Sequence, residues 1–264
     1  MNEVVTRTLS GIIYIALLIG AILFSANSFF ALFIFFLIIA VYEFSKLYRI
    51  NYFKSYLITI VITLTLFITH NNNYNSIYLI VLPFSFFLIF DLFKNNPLKA
   101  QTSLIKYLHL IGYVILPFLI LTQIPFVNNE YTPILILSIF IMIWCNDTFA
   151  YICGKLLGKH KLYEKISPKK TIEGFIGGVI FTLVAAYIIF KYSNTNLNLS
   201  VWICLALGIS VMGTIGDLVE SKYKRQANIK DSGKIMPGHG GILDRLDSII
   251  FAAPFLFLIY KLIV

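Results

Sequence analysis

The sequence predicts an all-α, polytopic integral membrane protein of about nine transmembrane helices, and three observations carry that prediction. Hydrophobic residues fill 59% of its 264 positions and charged residues only 12%, about half the charge of a soluble domain. Apolar runs of the roughly 17–25 residues needed to cross a bilayer recur along the whole chain, and the mean hydropathy is +0.85. Lys and Arg are confined to alternate loops, as the positive-inside rule requires.

The first run covers residues 8–25 and follows Arg7. It resembles a secretion signal, but Phe24-Ser25-Ala26 is a poor small-residue cleavage site and many spans follow, so it is expected to be kept as the first helix. Further spans are expected near 28–46, 54–70, 76–93, 104–122, 132–152, 171–190, 199–218 and 241–262. Of the 21 Lys and Arg residues, all but Lys191 and Lys261 fall in one alternating set of loops. Those two lie at helix ends, where they can snorkel. The N-terminus is therefore expected in the cytoplasm, with both long polar loops beside it. This topology and anionic ligands account for the net charge of +9; no soluble domain remains to bind a nucleic acid.

Two regions differ in character. Residues 1–130 read as scaffold helices in contact with lipid, and 131–264 as the part that carries a cytoplasm-facing catalytic site. In the first, Glu43 reads as a helix-end carboxylate paired with a nearby Lys or Arg, with a site role as the alternative. His70 and His109 lack metal-ligand spacing and read as structural. Cys145, Cys153 and Cys204 form no CxxC and read as packing residues. Neither a repeat nor an inverted pair of broken helices points to transport.

From residue 144 polar groups gather. Asp147 lies inside an apolar helix, where an ionised carboxylate costs on the order of 3 kcal/mol unless paired or hydrated; its partner is a metal, a Lys, or a hydrogen bond to Asn146 or Thr148. Ser167 reads as an N-cap with Pro168 at the first helical position. With Lys169 and Lys170 beside it, this becomes an anion-binding helix start.

The densest constellation runs from 213 to 248. Asp217, Glu220, Ser221 and Lys224 fall on one helical face, and Asp244 and Asp247 are again three apart with Arg245 between them. Hard carboxylate oxygens, completed by water and phosphate, suit Mg²⁺. Between the pairs, Gly238-His239-Gly240-Gly241 would let backbone amides approach a ligand. Lys222, Lys224, Arg225, Lys230 and Arg245 supply positive charge for phosphates. His239 could contact a phosphate, orient Asp244 or cap the turn.

At these residues the chain resembles the phosphatidate cytidylyltransferases, the CDP-diacylglycerol synthases of phospholipid synthesis. The resemblance is carried by Ser221-Lys-Tyr-Lys-Arg225, Lys230-Asp231, Gly233, Pro237-Gly-His-Gly-Gly241 and Asp244-Arg-Leu-Asp247. Asp147-Thr148 with Ala150-Tyr151, and Ser167-Pro-Lys-Lys-Thr171 with Glu173-Gly174, add to it. It implies transfer of CMP from CTP to phosphatidate, with a Mg²⁺-dependent site, room for a second cation, and a place in the inner membrane of a bacterium. The expected catalytic set is Asp217, Lys224, Arg225, Lys230, Asp244, Arg245 and Asp247. Asp217, Asp244, Asp247 and Asp147 would hold the metal. Ser167, Lys169, Lys170, Thr171, Ser221, Gly238, His239, Gly240 and Gly241 would hold substrate. Homodimerisation is an expectation that no residue pattern decides. Two other classes fit less well: a CDP-alcohol phosphotransferase needs a D-G-x-x-A-R pattern that is absent, and a cation-coupled transporter leaves the glycine loop unexplained.

Overall fold

The computed structural model describes residues 3–68, 74–94, 102–127 and 130–263. His70 and the turn residues Asn71, Asn72, Asn73, Asn128 and Asn129 lie outside them. Helices form where the apolar runs lie: α1 (Glu3–Phe24), α2 (Ala26–Tyr48), α3 (Tyr52–Ile68), α4 (Tyr74–Leu92), α5 (Ser103–Leu121), α6 (Pro133–Leu157), α7 (Ile172–Tyr192), α8 (Leu199–Gln226) and α9 (Leu243–Ile263). Among the described residues, seven are long and apolar enough to cross a membrane, whereas α3 and Ile80–Leu92 of α4 are shorter apolar helices. Length and composition thus support seven spans where the sequence suggested nine. The chain is an all-α integral membrane protein.

Local chemistry explains the breaks. Between α1 and α2, the Ser25 side chain accepts from Ser28 N at 3.1 Å and the Ser28 side chain from Ser25 N at 3.0 Å, a reciprocal cap that starts a new helix. Arg49, left-handed at φ 53°, ends α2. Helices α5 and α8 each contain a π turn, at Leu110–Ile115 and Ile209–Gly213. One extra residue per turn makes the positions that follow face differently from a regular 3.6-residue repeat.

The sequence placed a helix start at Ser167, and the structure moves it. Ser167–Thr171 is strand β4, paired antiparallel with β3 (Lys161–Tyr163) through Lys161↔Thr171 and Tyr163↔Ser167. Pro168 is tolerated because a two-stranded ribbon is all edge. The cap is Thr171, whose hydroxyl accepts from Gly174 N at 3.1 Å. The helices on either side of the ribbon pack through small residues: a Cβ on Gly177 would strike Cys153, and one on Gly178 would strike Asn146 and Ala150. Close approach of this kind replaces hydrophobic driving force between membrane helices.

Hydrogen bonds between distant segments separate two ends of the bundle. At one end Ser10 of α1 meets Pro237 and His239, Glu43 of α2 meets Ser232 and Leu243, and Tyr163 donates to Leu92 O at the end of α4. At the other, Tyr131 donates to Ile22 O at 2.8 Å, near the end of α1. The lysine-rich loops therefore share one end, as the alternation of Lys and Arg requires. His109 is structural as expected: buried, its Nδ1 lies 3.1 Å from Tyr48 Oη and 3.0 Å from Tyr223 Oη.

Lys222, read from the sequence as a phosphate cation, is instead buried against Asp91 at 2.7 Å, with the two side chains 7% and 8% exposed. Removing one partner leaves an uncompensated buried charge, which costs about 3–5 kcal/mol. Lys222→Met is expected to lower the thermal midpoint in detergent by many degrees. Lys222→Met with Asp91→Leu should recover much of that loss, and failure to recover any would contradict a pairwise role.

Candidate active site

A polar pocket of about 700 Å³ opens at the loop end of the bundle. Asn146 and Asp147 of α6, Lys169, Lys170 and Thr171 of β4, Thr214 and Asp217 of α8, and Asp244, Arg245, Asp247 and Ser248 of α9 line it. Three local features bring these side chains together. The π turn of α8 ends just before Thr214 and sets the facing of Asp217. Gly216 packs so tightly on α9 that a Cβ would strike Phe251 and Asp247 O. The β3–β4 ribbon folds Lys169 and Lys170 back over the pocket.

Four carboxylates, of Asp147, Asp217, Asp244 and Asp247, line it. Asp147, Asp217 and Asp247 lie close enough to act on one another's charge. Asp147 has accessible surface, but what it is exposed to is the pocket. Asp217 accepts from Ser221 Oγ at 3.1 Å and pairs with Lys170 Nζ at 2.6 Å. Asn146 Nδ2 lies 3.4 Å from Asp147 Oδ1, and Ser248 N donates to Asp247 Oδ1 at 2.7 Å. Among the described residues no group of three or more His, Cys, Asp or Glu side chains could hold a metal ion by itself. Mg²⁺, however, is commonly bound by one or two carboxylates, with water and substrate phosphates completing its shell. Mutually repelling hard oxygens in one polar pocket fit such an ion in kind.

Asp244 is engaged differently from its neighbours. Its Oδ2 accepts from Ser232 N at 2.8 Å, Ser232 Oγ at 2.9 Å and Gly241 N at 2.7 Å. Its Oδ1 takes Lys224 Nζ at 2.7 Å, and Lys224 also pairs with buried Glu220. Asp244 Oδ2 therefore holds the loop at 231–242, and Lys224 braces the other oxygen of the same carboxylate from α8.

A second carboxylate, from the far half of the chain, completes that arrangement. Glu43 is 1% exposed. It accepts from Ile242 N at 3.2 Å, Leu243 N at 2.9 Å and Ser232 Oγ at 3.2 Å. The sequence reading, in which Glu43 pairs with a neighbouring cation, is thus corrected: it caps α9 from outside. The glycines follow from this. A Cβ on Gly241 would run into the Glu43 carboxylate, and Gly240 adopts φ +88° with Asp244 beside it. In this arrangement the loop amides serve the protein's own carboxylates, and residues 238–241 lie outside the pocket lining.

The remaining site candidates are placed as follows. His239 Nδ1 lies 2.8 Å from Ser10 Oγ, and its carbonyl accepts from Arg245 Nε at 3.1 Å and Nη2 at 2.7 Å. Partial burial, then the charges of Arg245 and Arg7, hold His239 below the usual histidine range, so it is neutral at pH 7. Arg225 Nε approaches Ile166 O at 3.5 Å. Arg225, Lys230, Ser167, Ser221 and Lys224 are not part of the pocket lining. Glu43 was missed as a site residue. The one signal for it was that Gly241-Ile242-Leu243 offers α9 no capping side chain, so the acceptor had to come from elsewhere.

The profile of the family described as the cytidylyltransferase family matches residues 5–263, nearly the whole chain. The chain belongs to the cytidylyltransferase family. Similar curated proteins include a phosphatidate cytidylyltransferase of Staphylococcus haemolyticus (strain JCSC1435), 51% identical over 121 residues. Proteins of the same name from Staphylococcus saprophyticus and Staphylococcus aureus (strain COL) are 49% and 50% identical over 121 residues. Each alignment covers 46% of this chain and 46% of the relative, so the match spans about half the length of these relatives. In this cytidylyltransferase-family chain, the carboxylate pocket and the glycine loop meet at Asp244, which belongs to both.

Proposed function

We propose that this chain transfers CMP from CTP to phosphatidate, forming CDP-diacylglycerol and pyrophosphate, with its site on the cytoplasmic side of a bacterial inner membrane. The observation that carries this reading is the pocket in which Asp147, Asp217 and Asp247 stand beside Lys169, Lys170 and Arg245, in a chain of this family. The segregation of lysines supports the orientation, and cytosolic CTP would then reach the pocket directly.

A phosphate oxygen of the lipid attacks the α-phosphorus of CTP, and the bond from that phosphorus to the bridging oxygen of the β-phosphate breaks. The electron pair leaves with pyrophosphate. The lipid phosphate is already anionic at neutral pH, so no general base is needed, which suits a pocket without a histidine in its lining. Catalysis of this kind rests on position and charge neutralisation. Asp217 and Asp247, with Asp147 beside them, would hold Mg²⁺, which would neutralise phosphate charge as the leaving group departs. Lys170 balances Asp217 at 2.6 Å and would turn to phosphate when nucleotide enters. Lys169 and Arg245 supply further positive charge. Asp244 and Lys224 hold the loop that leads into α9, which carries Arg245. A second cation beside the first belongs to the same proposal, as does pairing of two copies of the chain, which a mass measurement in detergent tests.

Purified protein incubated with phosphatidate, Mg²⁺ and CTP labelled at the α-phosphorus should yield labelled CDP-lipid and free pyrophosphate. Omitting Mg²⁺ should abolish both. A folded sample that forms neither product defeats the proposal.

A further inference from the structure

A second cavity, of about 440 Å³, lies beside the first and has the opposite character. It is an apolar groove walled by α1, α2 and the loop from Ile235 to Ile242. Its loop end is marked by Thr6, Ser10 and Pro237, and its other end by Leu17 and Phe35. Ile13, Leu17 and Phe35 are each more than half exposed, so the groove is open sideways, toward hydrocarbon in a bilayer. Helix α1 is also the least enclosed span, with 11% of its apolar window buried against 67% for α9.

The two cavities share no lining residue, but Tyr14 joins them. Tyr14 lines the groove, its hydroxyl is buried without a hydrogen-bond partner among the described residues, and the charges of both Arg245 and Asp247 reach it. A buried hydroxyl without a partner is costly unless something arrives to bond it. The polar end of the groove is basic as well: Arg7 packs against Gly238, and Arg245 is bound to the carbonyl of His239.

From Thr6 to Leu17 the groove follows about 16 Å of helix at 1.5 Å per residue. That is about half the ~30 Å hydrocarbon core of a bilayer, the depth of one leaflet. A helix from a second copy would need the full thickness, whereas an acyl chain needs one leaflet. A cationic rim above an apolar slot of that depth complements an anionic lipid.

We propose that this groove seats one acyl chain of the phosphatidate substrate, so that the lipid phosphate is presented at Arg245, beside Tyr14. The proposal rests on the cytidylyltransferase reading and adds to it where the lipid lies and which residues measure its chain. Ile13→Trp and Leu17→Trp, at exposed positions away from the pocket, fill the slot. Each removes contact with about two methylenes and is expected to raise KM for dioleoyl phosphatidate about tenfold. KM for CTP should stay as in the unmodified protein, and KM for dihexanoyl phosphatidate, whose short chains fill less of the slot, should rise less. Equal KM values for the long-chain lipid in all three proteins would overturn the proposal, as would a parallel rise for both lipids and CTP. A change in oligomeric mass caused by either tryptophan would assign the groove to a second copy instead. Absence of CDP-lipid from the unmodified protein would defeat the underlying enzymatic reading, a result distinct from unaltered kinetics in the variants.

Discussion

Asp217→Asn is expected to lower the rate of CDP-lipid formation by about 10²–10³-fold, the scale on which enzymes lose activity when one electrostatic contact at the reacting centre is removed. Asparagine keeps the volume of Asp217 and removes its charge, so neither a metal nor Lys170 is held as before. Stability should hardly change. The Lys170–Asp217 pair is 27% and 35% exposed, and partly solvated pairs contribute about 0–1 kcal/mol. Rate measured at saturating CTP and phosphatidate, beside a thermal melt in the same detergent, tests both parts. Retention of more than a tenth of the activity would remove Asp217 from the catalytic machinery.

Glu43→Ala should produce the largest loss of stability of any single change at the site. It leaves Ile242 N and Leu243 N without their acceptor, and each buried unsatisfied donor costs about 1–3 kcal/mol. A total of about 2–6 kcal/mol is expected, visible as a large drop in thermal midpoint together with loss of activity, because the start of α9, which carries Asp244 and Arg245, is released. Glu43→Gln keeps one acceptor oxygen and should recover part of both. A melt of Glu43→Ala within a degree or two of the unmodified protein would show that the loop holds itself.

These two residues also mark what the sequence could and could not disclose. Asp217 was legible because it sits three residues from Glu220 and four from Ser221 on a helix that ends an apolar run, and local spacing is enough to find such a face. The order of the helices was legible for the same reason, since an apolar run of bilayer length leaves few alternatives. Glu43 was not, because its partners are backbone amides about two hundred residues away. Ser167 misled because a serine before proline has the same local signature whether a helix or a strand follows. Only the pairing with Lys161–Tyr163 decides between them. Asp244 was read by its spacing from Asp247, and Lys222 by its charge, as ligands for metal and phosphate. Spacing and charge cannot say that Ser232 and Gly241 bond Asp244 and that Asp91 pairs with Lys222.

The external cap on α9 has a consequence for how the chain is made. A ribosome releases α2 long before it reaches Leu243, and segments emerge in order. Glu43 must therefore sit in a helix that is already inserted, with no amides to bond, until the last helix arrives. Closing that contact draws together positions 200 apart in sequence, the kind of long loop that is slow to form. The loop that Glu43 holds is thus the final joint of assembly, and a chain that stalls before α9 is inserted cannot be active by halves.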